Sequence, residues 1–183
     1  MAAVVSLIGH HNSGKTRLIA RLIPELAARG LRVGTVKHAP RLEAVDTAQA
    51  DSAQHLEAGS ARVLLWGANA YAEFAPLGEA SLGVEIVRRF ADCDVVLLEG
   101  AKHGPYPKIE VFRRRADLPL QPLAGEIDVA AVVTNDRVAL PDGVLTFRTS
   151  AIAEIADLVE DLVFGNDGDD RLRSDPSYAS LDS

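Results

Sequence analysis

The chain has 183 residues, 48% of them hydrophobic, with a formal charge of −7; that length suits one domain with a sizeable core. The acidic balance speaks against broad electrostatic binding to nucleic acid, and no apolar run reaches the roughly 18 residues of a membrane span. The single cysteine, Cys93, excludes an internal disulfide and a cysteine-rich metal site, which points to a reducing, cytoplasmic setting.

The first element is a short apolar run, Val4 to Ile8, read as a buried parallel strand rather than a signal peptide, since it lacks a basic flank and a cleavage-like site. Leu18, Ile19, Leu22, Ile23 and Leu26 then repeat at helical spacing. Pro24 is expected to kink or strain that helix, and Gly30 to stop it. Leu31 to Val36 reads as a second strand. Asp46 to Ala58 is polar and compatible with helix. Ala61 to Trp66 and Tyr71 to Phe74 form short strands around a Gly/Asn turn. Leu82 to Phe90 is helical. Strands follow at Val95 to Leu98, Ile109 to Phe112, Val129 to Val133 and Leu145 to Phe147, then a helix from Ile152 to Phe164. Strand and helix alternate through most of this order. The expected fold is α/β, with a mostly parallel central sheet. Residues 1–164 read as one domain, and the Asp-, Ser- and Gly-rich stretch 165–183 as a disordered acidic tail.

Between the first strand and the first helix, Gly9-His10-His11-Asn12-Ser13-Gly14-Lys15-Thr16 matches G-x-x-x-x-G-K-T at every fixed position. Glycines let backbone N–H groups wrap a phosphate, and the helix that follows adds the positive end of its dipole. Lys15 supplies charge to the β- and γ-phosphates, and the Thr16 hydroxyl is a Mg²⁺ ligand. Arg17 stands where many such loops carry a second hydroxyl for the α-phosphate. These nine residues are the expected phosphate-binding set, with the side chains of His10 and His11 either touching substrate or solvated. The loop makes the expected fold a P-loop NTPase three-layer architecture, with residues 1–164 as its nucleotide-binding domain.

The run Asp94-Val95-Val96-Leu97-Leu98-Glu99-Gly100 reads as the acidic strand that accompanies such loops. A buried strand delivers a carboxylate to its C-terminal end, where ligands gather in open α/β sheets. Glu99 is the expected second metal ligand and catalytic carboxylate, and Gly100 permits close approach of the γ-phosphate. Asp94 lies at the wrong end. Two Lys-His pairs, Lys37-His38 and Lys102-His103, follow strands that should end on the same rim, which makes them candidates for a second anionic ligand. Thr134-Asn135-Asp136 ends an apolar strand and is the candidate base-reading segment. An Asp accepting from guanine N1 and N2 would select GTP over ATP. The usual N/T-K-x-D pattern is not met, because Arg137 stands where its Asp would be.

Together these motifs resemble the MobB family of molybdopterin-guanine dinucleotide biosynthesis adapter proteins. The resemblance rests on GHHNSGKT, RLIPELAARGLRVGTVKH, the D-S-x-x-x-x-x-A-G stretch from Asp51 to Gly59, DVVLLEGAKHGPYPKIEVFRR and AAVVTND, spread over roughly residues 3 to 160. It implies GTP binding with Mg²⁺, slow hydrolysis and a homodimer. It also implies a partnership with molybdopterin and with the enzyme that attaches GMP to it. By the same resemblance Asp51 assists Mg²⁺ or the attacking water. Family members commonly carry Asp-x-x-Gly-Lys-Asp-Ser, whereas this chain reads Asp46-Thr47-Ala48-Gln49-Ala50-Asp51-Ser52, without the glycine and the lysine. Two other classes compete. A metal-delivery GTPase would carry His-rich or Cys metal motifs, and the chain has five scattered histidines and one cysteine. A small-molecule kinase would need an arginine lid over the γ-phosphate, for which Arg113-Arg114-Arg115 is the available segment.

Overall fold

The computed structural model describes residues 3–38, 51–75 and 81–165. The expected tail beyond 165 and the stretch 46–50 lie outside the described residues. The chain divides into two compact units, one made of residues up to His38 and from Ile86 onward, the other of Ala39–Glu85.

The larger unit is built on six strands: β1 (Ala3–Ile8), β2 (Val33–Lys37), β5 (Val95–Glu99), β6 (Lys108–Val111), β7 (Ala131–Val133) and β8 (Leu145–Phe147). They pair in the order β2-β5-β1-β6-β7-β8, and every pairing is parallel. β1 and β5 are nearly continuous apolar runs because helices and neighbouring strands cover them; Val5, Leu7 and Val95 to Leu98 have no exposed surface. Helix α1 (Lys15–Ala28) turns Leu18, Ile19, Leu22 and Leu26 onto the sheet. Helix α4 (Ile152–Phe164) packs beside it with Ile155, Ala156, Leu158 and Val159. Arg29, at the end of α1, joins the two helices through Asp157 and Glu160 as well as its own Glu25.

α1 continues through Pro24. The proline removes the N–H that would reach Ala20, but both residues lie on the exposed face, so water can satisfy the orphaned carbonyl. Gly30 does stop the helix, in the left-handed conformation at φ 88°. Its N–H bonds to Ala27 O and that of Leu31 to Leu26 O, the paired bonds of a Schellman ending.

From β5 onward strand-helix alternation gives way to four successive strands, the succession that the sequence patterns place there. No α-helix separates β5, β6, β7 and β8; one 3₁₀ turn, Leu123–Gly125, lies between β6 and β7. Parallel neighbours ordinarily need a long crossover to return down the sheet. Here the register removes that need. Leu7 of β1 pairs with Glu99, near the end of β5, on one side and with Ile109, near the start of β6, on the other. β6 therefore begins at the level where β5 stops, and residues 100–107 need only step across the end of β1.

The smaller unit holds α2 (Asp51–Glu57) and a two-stranded antiparallel sheet of β3 (Val63–Trp66) and β4 (Tyr71–Phe74). Ala53 and Val63 are buried in it, and Trp66 stacks on Tyr71 at 5.9 Å. Helix α3 (Leu82–Arg89) carries the chain from this unit into the larger one. Among the described residues no helix is long and apolar enough to cross a membrane.

Candidate functional site

The loop between β1 and α1 is held in shape before any ligand is considered. Gly9 sits at φ 141°, and a Cβ there would lie 2.2 Å from the Val111 carbonyl oxygen. No residue with a side chain fits that approach. Asn12 and Gly14 also have positive φ. Gly14 is the N-cap of α1 and offers no side-chain cap, so the first N–H groups of the helix are left for a ligand. Ser13 Oγ is buried and has no hydrogen-bond partner among the described residues. An orphaned buried hydroxyl of this kind is rare and marks a place where a polar group belongs.

Lys15 is half-buried rather than on the loop surface, and its ammonium donates to the carbonyls of Gly9 (3.0 Å) and His10 (2.8 Å). Burial pulls its pKa below the ordinary lysine value; the Glu99 carboxylate opposes that shift and the Lys37 ammonium adds to it. His10 Nε2 lies 2.9 Å from Gln121 O, and its ring edge meets Phe112. His11 is exposed.

Glu99 ends β5 beside this loop. The Thr16 hydroxyl donates to Glu99 Oε2 at 2.9 Å, and Lys37 Nζ, from the end of β2, lies 3.7 Å from Oε1. The adjacent backbone is fixed by Gly100 N–H to Leu7 O, His38 N–H to Glu99 O and the buried Ser6 hydroxyl to Gly100 O. Gly100 is in the left-handed region at φ 102°, and a Cβ there would meet the His38 side chain at 3.3 Å. Lys37, His38, Lys102 and His103 are all exposed; the latter two lie in the turn after Gly100. A hydroxyl and a carboxylate oxygen in contact at the mouth of a phosphate loop are hard donors of the kind Mg²⁺ takes, with water and phosphate filling its other positions. The donor set fits that ion. Among the described residues no group of three His, Cys, Asp or Glu could hold a metal.

On the other side of the loop lies a cleft of about 460 Å³, lined by residues including Ser13, Gly14, Arg17, Arg21, Arg113 and Asp136. Asn135 and Thr149 close its far end by two reciprocal bonds, Nδ2–H to Thr149 Oγ1 (2.8 Å) and Thr149 N–H to Asn135 Oδ1 (3.1 Å). The Asn135 amide thus positions the turn after β8. Asp136 accepts the Arg114 N–H with one carboxylate oxygen. Of the three arginines considered for a lid, Arg114 also bonds Arg137 O and Arg115 pairs with Asp117, so Arg113 is the one that lines the cleft.

Several contributors carried little signal in the sequence. Ser6, Arg21 and Thr149 occupy ordinary positions until strands meet. Glu110 did carry one: a carboxylate inside the apolar run Ile109-Glu110-Val111-Phe112. It is fully buried and accepts N–H bonds from Leu123 (2.8 Å) and Ala124 (2.9 Å). The segment that bears Gln121, the partner of His10, is pinned by those bonds. Asp51 opens α2 in the smaller unit, and its side chain lies outside the described residues.

Comparison with known proteins gives the family and the fold. The family model for molybdopterin guanine dinucleotide synthesis protein B matches residues 4–135. The molybdopterin-guanine dinucleotide biosynthesis adapter protein of Haemophilus influenzae is 36% identical over 163 residues, covering 86% of this chain and 87% of the relative. Its counterpart in Escherichia coli is 30% identical over 139 residues, 74% of this chain and 79% of the relative. A crystal structure of molybdopterin-guanine biosynthesis protein B superposes with a TM-score of 0.67 at 28% identity, over 87% of this chain and 99% of the other. Bacillus subtilis MobB shares the fold, with a TM-score of 0.63 at 23% identity over 88% and 98% of the two chains. With its phosphate loop, its parallel six-stranded sheet and these matches, the chain has a P-loop NTPase fold and belongs to the MobB family, that of molybdopterin guanine dinucleotide synthesis protein B.

Proposed function

We propose that this protein binds GTP with Mg²⁺ on the Gly9–Thr16 loop, hydrolyses it slowly, and acts as an adapter in making the guanine dinucleotide form of molybdopterin. The observation that carries the reading is the contact of Thr16 with Glu99 at 2.9 Å, on a loop whose lysine already sits against the Gly9 and His10 carbonyls. Residues Gly9 to Arg17 take the phosphates, and Asn135 and Asp136 lie at the base end of the cleft. Thr16 and Glu99 hold the metal, which supplies charge to neutralise the phosphates. Glu99 orients through its bond to Thr16, and Asp51 is assigned to the metal or the attacking water by family resemblance. The nucleotide gates a complex rather than feeding a fast reaction. Residues 1–164 act as the nucleotide-binding domain of a cytoplasmic homodimer. Lys37, His38, Lys102 and His103 form a cationic rim for the molybdopterin phosphate or an acidic patch on the GMP-attaching enzyme, set against an acidic protein.

The test is a titration of GTP against ATP, with and without Mg²⁺, followed by phosphate release with and without candidate phosphoryl acceptors. GTP preference, Mg²⁺ dependence and slow release to water support the reading. Tighter ATP binding, or transfer to an acceptor in place of water, refutes it.

A further inference from the structure

Glu99 faces more positive charge than one carboxylate balances. Lys37 lies 3.7 Å from its Oε1, and Lys15 also acts on it electrostatically from the loop. Glu99 is only 14% exposed while Lys37 is 66% exposed. The carboxylate is thus fixed by Thr16 and the sheet, whereas the lysine reaches in from solvent on a flexible stem and can leave without disturbing any packing. Its backbone is fixed independently, since Lys37 pairs with Glu99 in the β2–β5 register. A divalent ion held by Thr16 and Glu99 would compete with this ammonium for the same carboxylate and repel it at short range.

We propose that Lys37 is a built-in counter-cation for Glu99, which holds the carboxylate while the metal position is empty and gives it up when a divalent ion binds. The inference rests on the metal-nucleotide reading above and deepens it. Release of Lys37 turns its charge toward the rim it shares with His38, and metal occupancy then raises the affinity of that rim for an anionic second ligand. By linkage, an anion that draws Lys37 outward tightens metal binding by the same factor. Lys37 is a positioning residue here, because it acts through Glu99.

The experiment is a Mn²⁺ titration followed by electron paramagnetic resonance, on the full chain, with and without GDP. Nucleotide binding is measured first, so a failure of the GTP reading shows separately from a failure of this inference. Lys37→Met and Lys37→Gln are expected to bind Mn²⁺ about three- to tenfold tighter than the wild type, the range that follows from losing a half-screened competing ion pair and a like-charge neighbour. Lys37→Arg should stay within about twofold, since it keeps the charge. Lys102→Met removes an equal charge from the same rim without any contact to Glu99, and should gain no more than about twofold. The gain should shrink at high salt. Unchanged or weaker Mn²⁺ binding in Lys37→Met and Lys37→Gln would overturn the proposal. So would an equal gain in Lys102→Met, which would make the effect a diffuse field, or in Lys37→Arg, which would make it a matter of shape.

Discussion

Glu110→Gln is a sensitive probe of how this fold supports its phosphate loop. The wild-type carboxylate is fully buried and accepts one N–H bond on each oxygen, from Leu123 and Ala124. The amide keeps the shape and one acceptor but turns its NH₂ group toward the second N–H. One charge-assisted bond is lost, worth about 1.5–3 kcal/mol, and one buried N–H is left facing a donor, at about 1–3 kcal/mol. Relief from burying a charge offsets part of that sum. The expected loss is about 2–4 kcal/mol, a substantial part of a typical 5–15 kcal/mol stability. Urea unfolding measures it, with exposed Glu126→Gln as a control expected within about 0.5 kcal/mol of wild type. Hydrogen exchange should quicken selectively over residues 113–125, the segment that carries Gln121 against His10. A loss under about 1 kcal/mol with unchanged exchange there would show that these two bonds do not hold the segment.

The other expected outcomes concern the loop itself. Lys15→Ala should weaken GTP binding by about 2–4 kcal/mol, tens- to hundreds-fold, because charge-assisted phosphate contacts go with the ammonium; far-UV circular dichroism should not change, and wild-type affinity would remove the loop from the site. Glu99→Gln should weaken GTP binding in Mg²⁺ by about tenfold or more and leave Mg²⁺-free binding within a few-fold; equal effects in both conditions would mean Glu99 holds no metal. Gly9→Ala drives a Cβ into the Val111 carbonyl at a positive φ, so unfolding free energy should fall by at least about 1–3 kcal/mol with loss of GTP binding; a variant of unaltered stability would contradict the described approach of β6 to the loop.

Much of the scaffold was legible because local patterns and tertiary demands coincide. The apolar run at β1, the G-x-x-x-x-G-K-T loop and the helical spacing of Leu18, Leu22 and Leu26 point to one answer. The expected bounds of β4, β8 and α4 agree with the observed elements because each is a compact pattern between turn residues. β2 and β7 came out shorter than expected at their first residues. Ends of strands depend on which partner they meet, and a single segment does not contain that information.

What the sequence by itself determined is chemistry tied to short spacing: the glycines, Lys15 and Thr16 lie within one loop, and Glu99 ends an apolar strand. Tertiary structure alone decided which distant groups meet. Thr16 meets Glu99 across 83 residues of chain, Lys37 reaches the same carboxylate from β2, and Asn135 closes on Thr149. It also let β5 pass to β6 without a helix, since the offset at Leu7 places the start of one strand level with the end of the other. The reason is the same in each case. Periodicity and propensity are properties of neighbours along the chain, whereas register is set by how buried faces of remote strands fit together, and the site is assembled from strand ends that only the register aligns.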